Sequence, residues 1–104
     1  MEEDSLQLGG DIQLVGFKVI DRPSMVIVKK MVGNYVKRFN DLCEKFEKIK
    51  LTLKTVHTTE KSEKYEIHIN LSDNGKTINT DYTDRNLFVT LDKSLNKVET
   101  SLQK

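Results

Sequence analysis

Cysteine, proline, histidine and tryptophan are nearly missing from this chain of 104 residues, and each absence excludes something. Cys43 is the only cysteine. It closes no internal disulfide and points to a reducing compartment. His57 and His68 are the only histidines, too few to furnish a zinc set when Cys43 falls on a helical core stripe. No apolar run approaches the ~20 residues a spanning helix needs, so no membrane partner is expected. The opening MEEDSLQLGG is acidic and lacks an apolar signal core, which argues for the cytoplasm rather than secretion. Neither sign of charge dominates, with 17 bases against 16 acids. What is present is 37% hydrophobic and 32% charged, long enough for one domain with a core of its own.

The net charge of +1 hides an asymmetry. Residues 1–21 carry Lys18 against Glu2, Glu3, Asp4, Asp11 and Asp21, a local balance of −4. The remainder carries 16 bases and 11 acids, a balance of +5. A basic body behind an acidic lead is compatible with a polyanionic partner, although solvated surfaces give such numbers by default.

Residues 1–10 read as a flexible acidic leader ending in a Gly pair, and residues 11–104 as one α+β domain. DIQLVGF alternates as a first strand. Pro23 suits a first helical turn, with Asp21 or Ser24 as cap. From Ser24 onward, Met25, Val28, Val32, Tyr35, Val36, Phe39, Leu42, Cys43 and Phe46 form one helical stripe. Its β-branched residues make it dependent on packing. Gly33 lies off the stripe, where it either costs about 1 kcal/mol relative to Ala or admits a close neighbour. At Lys48 the period becomes two. KIKLTLKT is a strand with one wet face, HTTEKSEK a polar loop, and YEIHINL another strand. SDNGK signals a tight hairpin into TINTDY. Asp84 or Asn86 caps a last helix whose stripe is Leu87, Leu91, Leu95, Val98 and Leu102. The order β-α-β-β-β-α predicts a four-stranded sheet with both helices on one face and the other face wet.

No catalytic constellation emerges. His57 ends a strand, His68 points to the polar face, and the Cys43 stripe position describes an inert core thiol. Asn74-Gly75-Lys76 lacks the spacing of a phosphate loop. Asp81 and Asp84 read as a turn residue and a cap. With no convergent acid, base and nucleophile, the chain is expected to be no enzyme, with no cofactor, metal or small-molecule substrate.

Binding remains. At about 100° per residue, Lys93, Lys97, Thr100 and Lys104 share one band of the last helix, with Asp92 and Glu99 on the opposite flank. On the long helix Asn34, Arg38 and Lys45 share a band, and Lys30 and Lys37 face straight out. Side by side, these rows would rim a groove able to track a phosphate backbone without reading sequence. Three lysines on an exposed helix are also what chance provides. The open sheet face, with Lys50, Lys54, His68 and Asn70, lacks aromatics to stack bases and ranks below the helices.

The plan and the ending NLFVTLDKSLNKVETSLQK resemble the ribosome hibernation promoting factors, also called light-repressed ribosome-associated inhibitors. Phe88 matches the family's aromatic, Leu91-Asp92 its Ile-Asp, Asn96-Lys97-Val98 its Asp-Lys-Leu, Ser101-Leu102 its Gln-Leu, and Lys104 its final base. YVKRFNDLCEKFEKIKLTLK resembles the family's long helix running into the second strand, with Arg38 at a basic position. The likeness spans roughly residues 11–104. It implies a non-enzymatic factor in the channel of the small ribosomal subunit used by mRNA and tRNA, touching rRNA through helix bases and blocking initiation when ribosomes idle. Lys97, Lys104 and Arg38 carry over by position. Lys30, Lys37, Lys45 and Lys93 come from helix geometry. The chain departs from the pattern at Thr100, where the family often has Arg, and at Tyr35, where a base is usual. It lacks the basic tail or dimerising domain of many members, so a monomer is expected when free. The α-β-β-β-α portion also resembles a double-stranded-RNA-binding domain, whose basic cluster at the last helix is represented only by Arg85. A third reading is a protein-interaction module on the same fold.

Overall fold

The computed structural model describes residues 5–8, 11–59 and 62–103. Strand β1 is Ser5–Gln7 and β2 is Ile12–Val15. A 3₁₀ turn, Phe17–Val19, leads to helix α1, Arg22–Leu42. Strands β3 (Phe46–Thr59), β4 (Ser62–Asp73) and β5 (Lys76–Asp84) precede helix α2, Leu87–Leu102. The five strands lie in chain order in one sheet. Only β2 and β3 pair in parallel, with Leu14 opposite Leu51. That pairing needs a long crossover, which α1 supplies.

The sheet therefore has five strands, not the expected four. The extra strand falls within the stretch read as a flexible leader: Ser5–Gln7 pairs antiparallel with Gln13–Val15. The Gln13 side-chain amide donates to Ser5 Oγ at 2.7 Å, and the Leu8 N–H to the Ile12 carbonyl at 2.7 Å. Three residues are too few to show a period, so composition decided the expectation. Residues 1–4, 9 and 10 lie outside the described residues.

One core unites both helices with one face of the sheet. Leu14, Ile49, Leu51, Leu53, Ile67, Ile69 and Leu71 are buried, as the alternation predicts. Val28, Val32, Tyr35, Val36 and Phe39 enter this core from α1, and Leu87, Leu91, Leu95 and Val98 from α2. Burying such side chains is worth roughly 1.5–3 kcal/mol each, which offsets the weak helix propensity of VIVKKMV. Thr90 and Ser94 are also fully buried. They are small enough for α2 to lie close to β5, where the Thr80 hydroxyl donates to the Ser94 carbonyl at 3.0 Å.

Caps and turns follow their residues. The Asp21 carboxylate accepts from the Ser24 N–H at 3.1 Å, and Pro23 sits in the first turn. Asn86 Oδ1 accepts from the Phe88 and Val89 N–H groups. Asn74 and Gly75 both have positive φ, 51° and 83°, which closes the β4–β5 hairpin in two residues.

Two boundaries differ from the periodicity. α1 stops at Leu42, so Cys43 and Phe46 leave the helix and Phe46 opens β3. Cys43 is extended, at ψ 149°. The Asp73 carboxylate accepts from the Lys45 N–H at 2.8 Å and the Glu44 N–H at 3.4 Å, which turns the chain toward the sheet. Phe46 packs on the core either way, so the helical period fits it by coincidence. The second difference is HTTEKSEK, which is mostly strand rather than loop: the backbone ladder runs out to Thr59 opposite Ser62. Thr55, Val56, Thr58 and Thr59 are β-branched and prefer this extended state.

Candidate nucleic-acid interface

α1 and α2 lie side by side, and their seam is built from polar residues at the edge of the core. Tyr35 is buried on α1, and its hydroxyl donates to Asp92 Oδ1 on α2 at 2.7 Å. Burial, with the Asp92 carboxylate next, pushes the Tyr35 phenol up. One turn along, Arg38 Nε donates to Glu99 Oε2 at 3.0 Å and Nη2 to Oε1 at 3.4 Å. The Arg38 guanidinium also lies 4.4 Å from the centroid of the Tyr35 ring. The acids that lie opposite the lysines on α2 thus face α1. The seam holds one guanidinium, paired with Glu99, and a second carboxylate, Asp92, bonded to Tyr35, so it carries no surplus of positive charge.

This corrects the expected groove. The lysine flank of α2 faces away from α1, toward β5. Lys97 Nζ donates to the Asp81 carbonyl at 2.9 Å and lies 5.5 Å from the centroid of the Tyr82 ring. Lys93 sits one turn earlier on that flank and is exposed. Lys45 is not on α1 at all. It lies in the turn before β3, its backbone held by Asp73. Lys30 and Lys37 are exposed on α1, and seven residues apart they share a face. Lys104 lies outside the described residues.

Of the seven residues singled out, two are therefore tied internally at their charged ends, Arg38 by Glu99 and Lys97 by Asp81. Lys30, Lys37 and Lys93 form no ion pair with a described residue. All three lie on the outward side of the helical layer, separated by the polar seam. Lysines so placed can neutralise phosphates as point charges but cannot form the planar, bidentate contacts of arginine.

The opposite face of the sheet is mixed in charge. His68 Nε2 lies 3.2 Å from Glu66 Oε2, and Asn70 donates to Asn79 at 2.6 Å. Lys48 and Lys50 share a shallow hollow with Glu47 and Asp81. Tyr65 packs on the core, as alternation predicts, so no base-stacking platform forms here. Cys43 is half-buried, and burial, then the nearby Asp73, pushes its thiol up to about 11. Among the described residues no group of His, Cys, Asp and Glu is placed to hold a metal ion. Among them, too, no helix is long and apolar enough to cross a membrane.

Several solved structures share this fold. A ribosomal subunit interface protein from Coxiella burnetii superposes with a TM-score of 0.62 at 20% identity, covering 89% of this chain and 93% of that one. The N-terminal domain of Thermus thermophilus Protein Y superposes with a TM-score of 0.58 at 14% identity, covering 94% and 97%. No family model and no curated protein matches the sequence. The α+β arrangement is thus shared with these two proteins over nearly the whole length of the chain.

Sequence reading missed one group of residues. Lys18, Arg22 and Lys29 lie around an apolar groove at the start of α1. Each is isolated in the chain, and only the fold brings them together.

Proposed function

We propose that the protein binds the small ribosomal subunit through its rRNA and inhibits translation by occupying the mRNA and tRNA channel during stress or stationary phase. It acts without catalysis and without a cofactor, as a cytoplasmic monomer when free. The observation that carries the reading is the set of lysines Lys30, Lys37 and Lys93 on the outer side of the helices, none ion-paired with a described residue, on a fold shared with a ribosomal subunit interface protein. Phosphate contacts position a protein without reading sequence, which suits docking on a fixed rRNA surface. Lys97, Lys45 and Lys104 are secondary contacts in this reading. Arg38 supports the surface from within the seam.

Co-sedimentation with purified small subunits tests it. Saturable binding that is lost to added tRNA and mRNA is expected. A Lys30→Glu, Lys37→Glu, Lys93→Glu variant should remain folded, since all three are exposed, and should lose binding at least tenfold. Full binding by that variant overturns the assignment of the surface. Equal binding of a plain RNA duplex and of the subunit would instead favour a general double-stranded-RNA binder.

A further inference from the structure

Between the β1–β2 hairpin and the first turns of α1 runs a groove of about 470 Å³. Its floor is Leu14, Phe17, Ile20 and Met25, and its lips are Leu6 and Val26. Lys18, Arg22 and Lys29 line it, and among the described residues no carboxylate does. We propose that this groove docks a short segment of a partner protein in which aliphatic side chains alternate with carboxylates.

Three observations carry the proposal. The first is where apolar surface is left uncovered. Val19 is 72% exposed, Val26 54% and Leu6 39%. Leu6 and Val26 both line the groove, and Val19 adjoins it through Ile20. Single exposed aliphatics need no explanation, but a contiguous set around a concavity marks an interaction surface. The second observation is the charge. Lys18, Arg22 and Lys29 form no ion pair with a described residue, so their field is available to an incoming carboxylate. The third is the position of Arg22. It opens α1, whose first turn contains no acid. A cation at a helix N-terminus is disfavoured by the macrodipole, and here the Asp21 cap beside it offsets that. Arg22 adds to the cations that ring the apolar groove and face a ligand of the opposite charge.

The class of partner follows from the shape. The groove is open along its length and lies beside β1, the last strand on that side of the sheet. A segment in extended form can lay alternate side chains on the apolar floor while its other residues meet the cations. Charge complementarity sets specificity and association rate more than raw affinity, so binding of modest strength and clear salt dependence is expected.

The test is selection from a random twelve-residue peptide library with the full chain as bait, followed by amide chemical-shift mapping of an enriched peptide. The expected result is enrichment of aliphatic and acidic residues together, with shifts confined to residues 5–8 and 12–29. A Lys18→Glu, Arg22→Glu, Lys29→Glu variant should bind that peptide at least tenfold more weakly and should enrich basic sequences instead. The same variant should bind small ribosomal subunits like the parent, which separates this proposal from the one above. Three results would overturn it: no enrichment, enrichment without acidic residues, or shifts mapping elsewhere. Peptide binding that appears only after residues 1–4 are deleted would also overturn it, by making the chain's own acidic start the occupant.

Discussion

Two glycines with opposite roles illustrate what single residues decide. Gly16 ends β2 with φ +83°, and a Cβ there would run into the Leu53 carbonyl oxygen. Gly16→Ala therefore combines left-handed strain with a backbone clash, and should cost at least about 2 kcal/mol. Gly33 lies inside α1, and nothing stands within 4 Å of where its Cβ would be. It admits no close neighbour, so Gly33→Ala should stabilise by up to about 1 kcal/mol. Urea denaturation of the pair reads both signs in one experiment, and a destabilising Gly33→Ala would contradict the open space found there. Cys43 offers a chemical check. With its thiol pushed up to about 11, the thiolate fraction at pH 8 falls on the order of a hundredfold below that of an ordinary cysteine. Alkylation by iodoacetamide should slow by a similar factor and recover on unfolding. Because the folded-state value is raised, the linked stability is present below the ordinary thiol range and declines as pH climbs toward 11.

At the scale of elements, the seam between α1 and α2 is the feature that redirects the functional reading. Arg38 and Glu99 are 50% and 16% exposed at their side chains. A double-mutant cycle to alanine should give a coupling below about 1 kcal/mol, as for other partly exposed pairs. The same Arg38→Ala change should weaken subunit binding less than Lys37→Ala does, since Arg38 spends its charge on Glu99. A larger loss at Arg38 would mean that the bridge opens on binding. Both helix stripes, the alternation of three strands and the Asn-Gly hairpin were legible in the sequence, because each element repeats its own period over several residues. β1 was not, since it is three residues long, nor was the end of α1, since Asp73 sets it from thirty positions away in the chain. The site was legible only as two rows. Helix geometry correctly put acids and lysines of α2 on opposite flanks, but which flank faces α1 depends on packing. Tyr35, which departs from the basic residue usual in the resembled family, has its physical account here: it reaches Asp92 and supports Arg38 from below.

For the molecule as a whole, the deciding quantity is how many cations remain free to meet phosphate. A net charge of +1 gives little long-range attraction. On the proposed function, affinity for rRNA must then come from local contacts, and three lysines on the outer helical surface form no ion pair with a described residue, with Lys97 able to join them at the cost of its bond to Asp81. Each neutralised phosphate contributes about 0.7–0.9 to the slope of log affinity against log salt. Three to four contacts predict a slope of about −2 to −4, shallower than a protein using all seven candidate bases would show. Removing Lys30, Lys37 and Lys93 should flatten the slope by about 2 to 3. Titration against small subunits at a series of salt concentrations measures both. A slope near −6 in the parent chain would mean that all seven candidate bases engage, with the internal bonds of Arg38 and Lys97 given up on docking. A slope that survives the triple change would move the RNA-facing surface off the helices altogether.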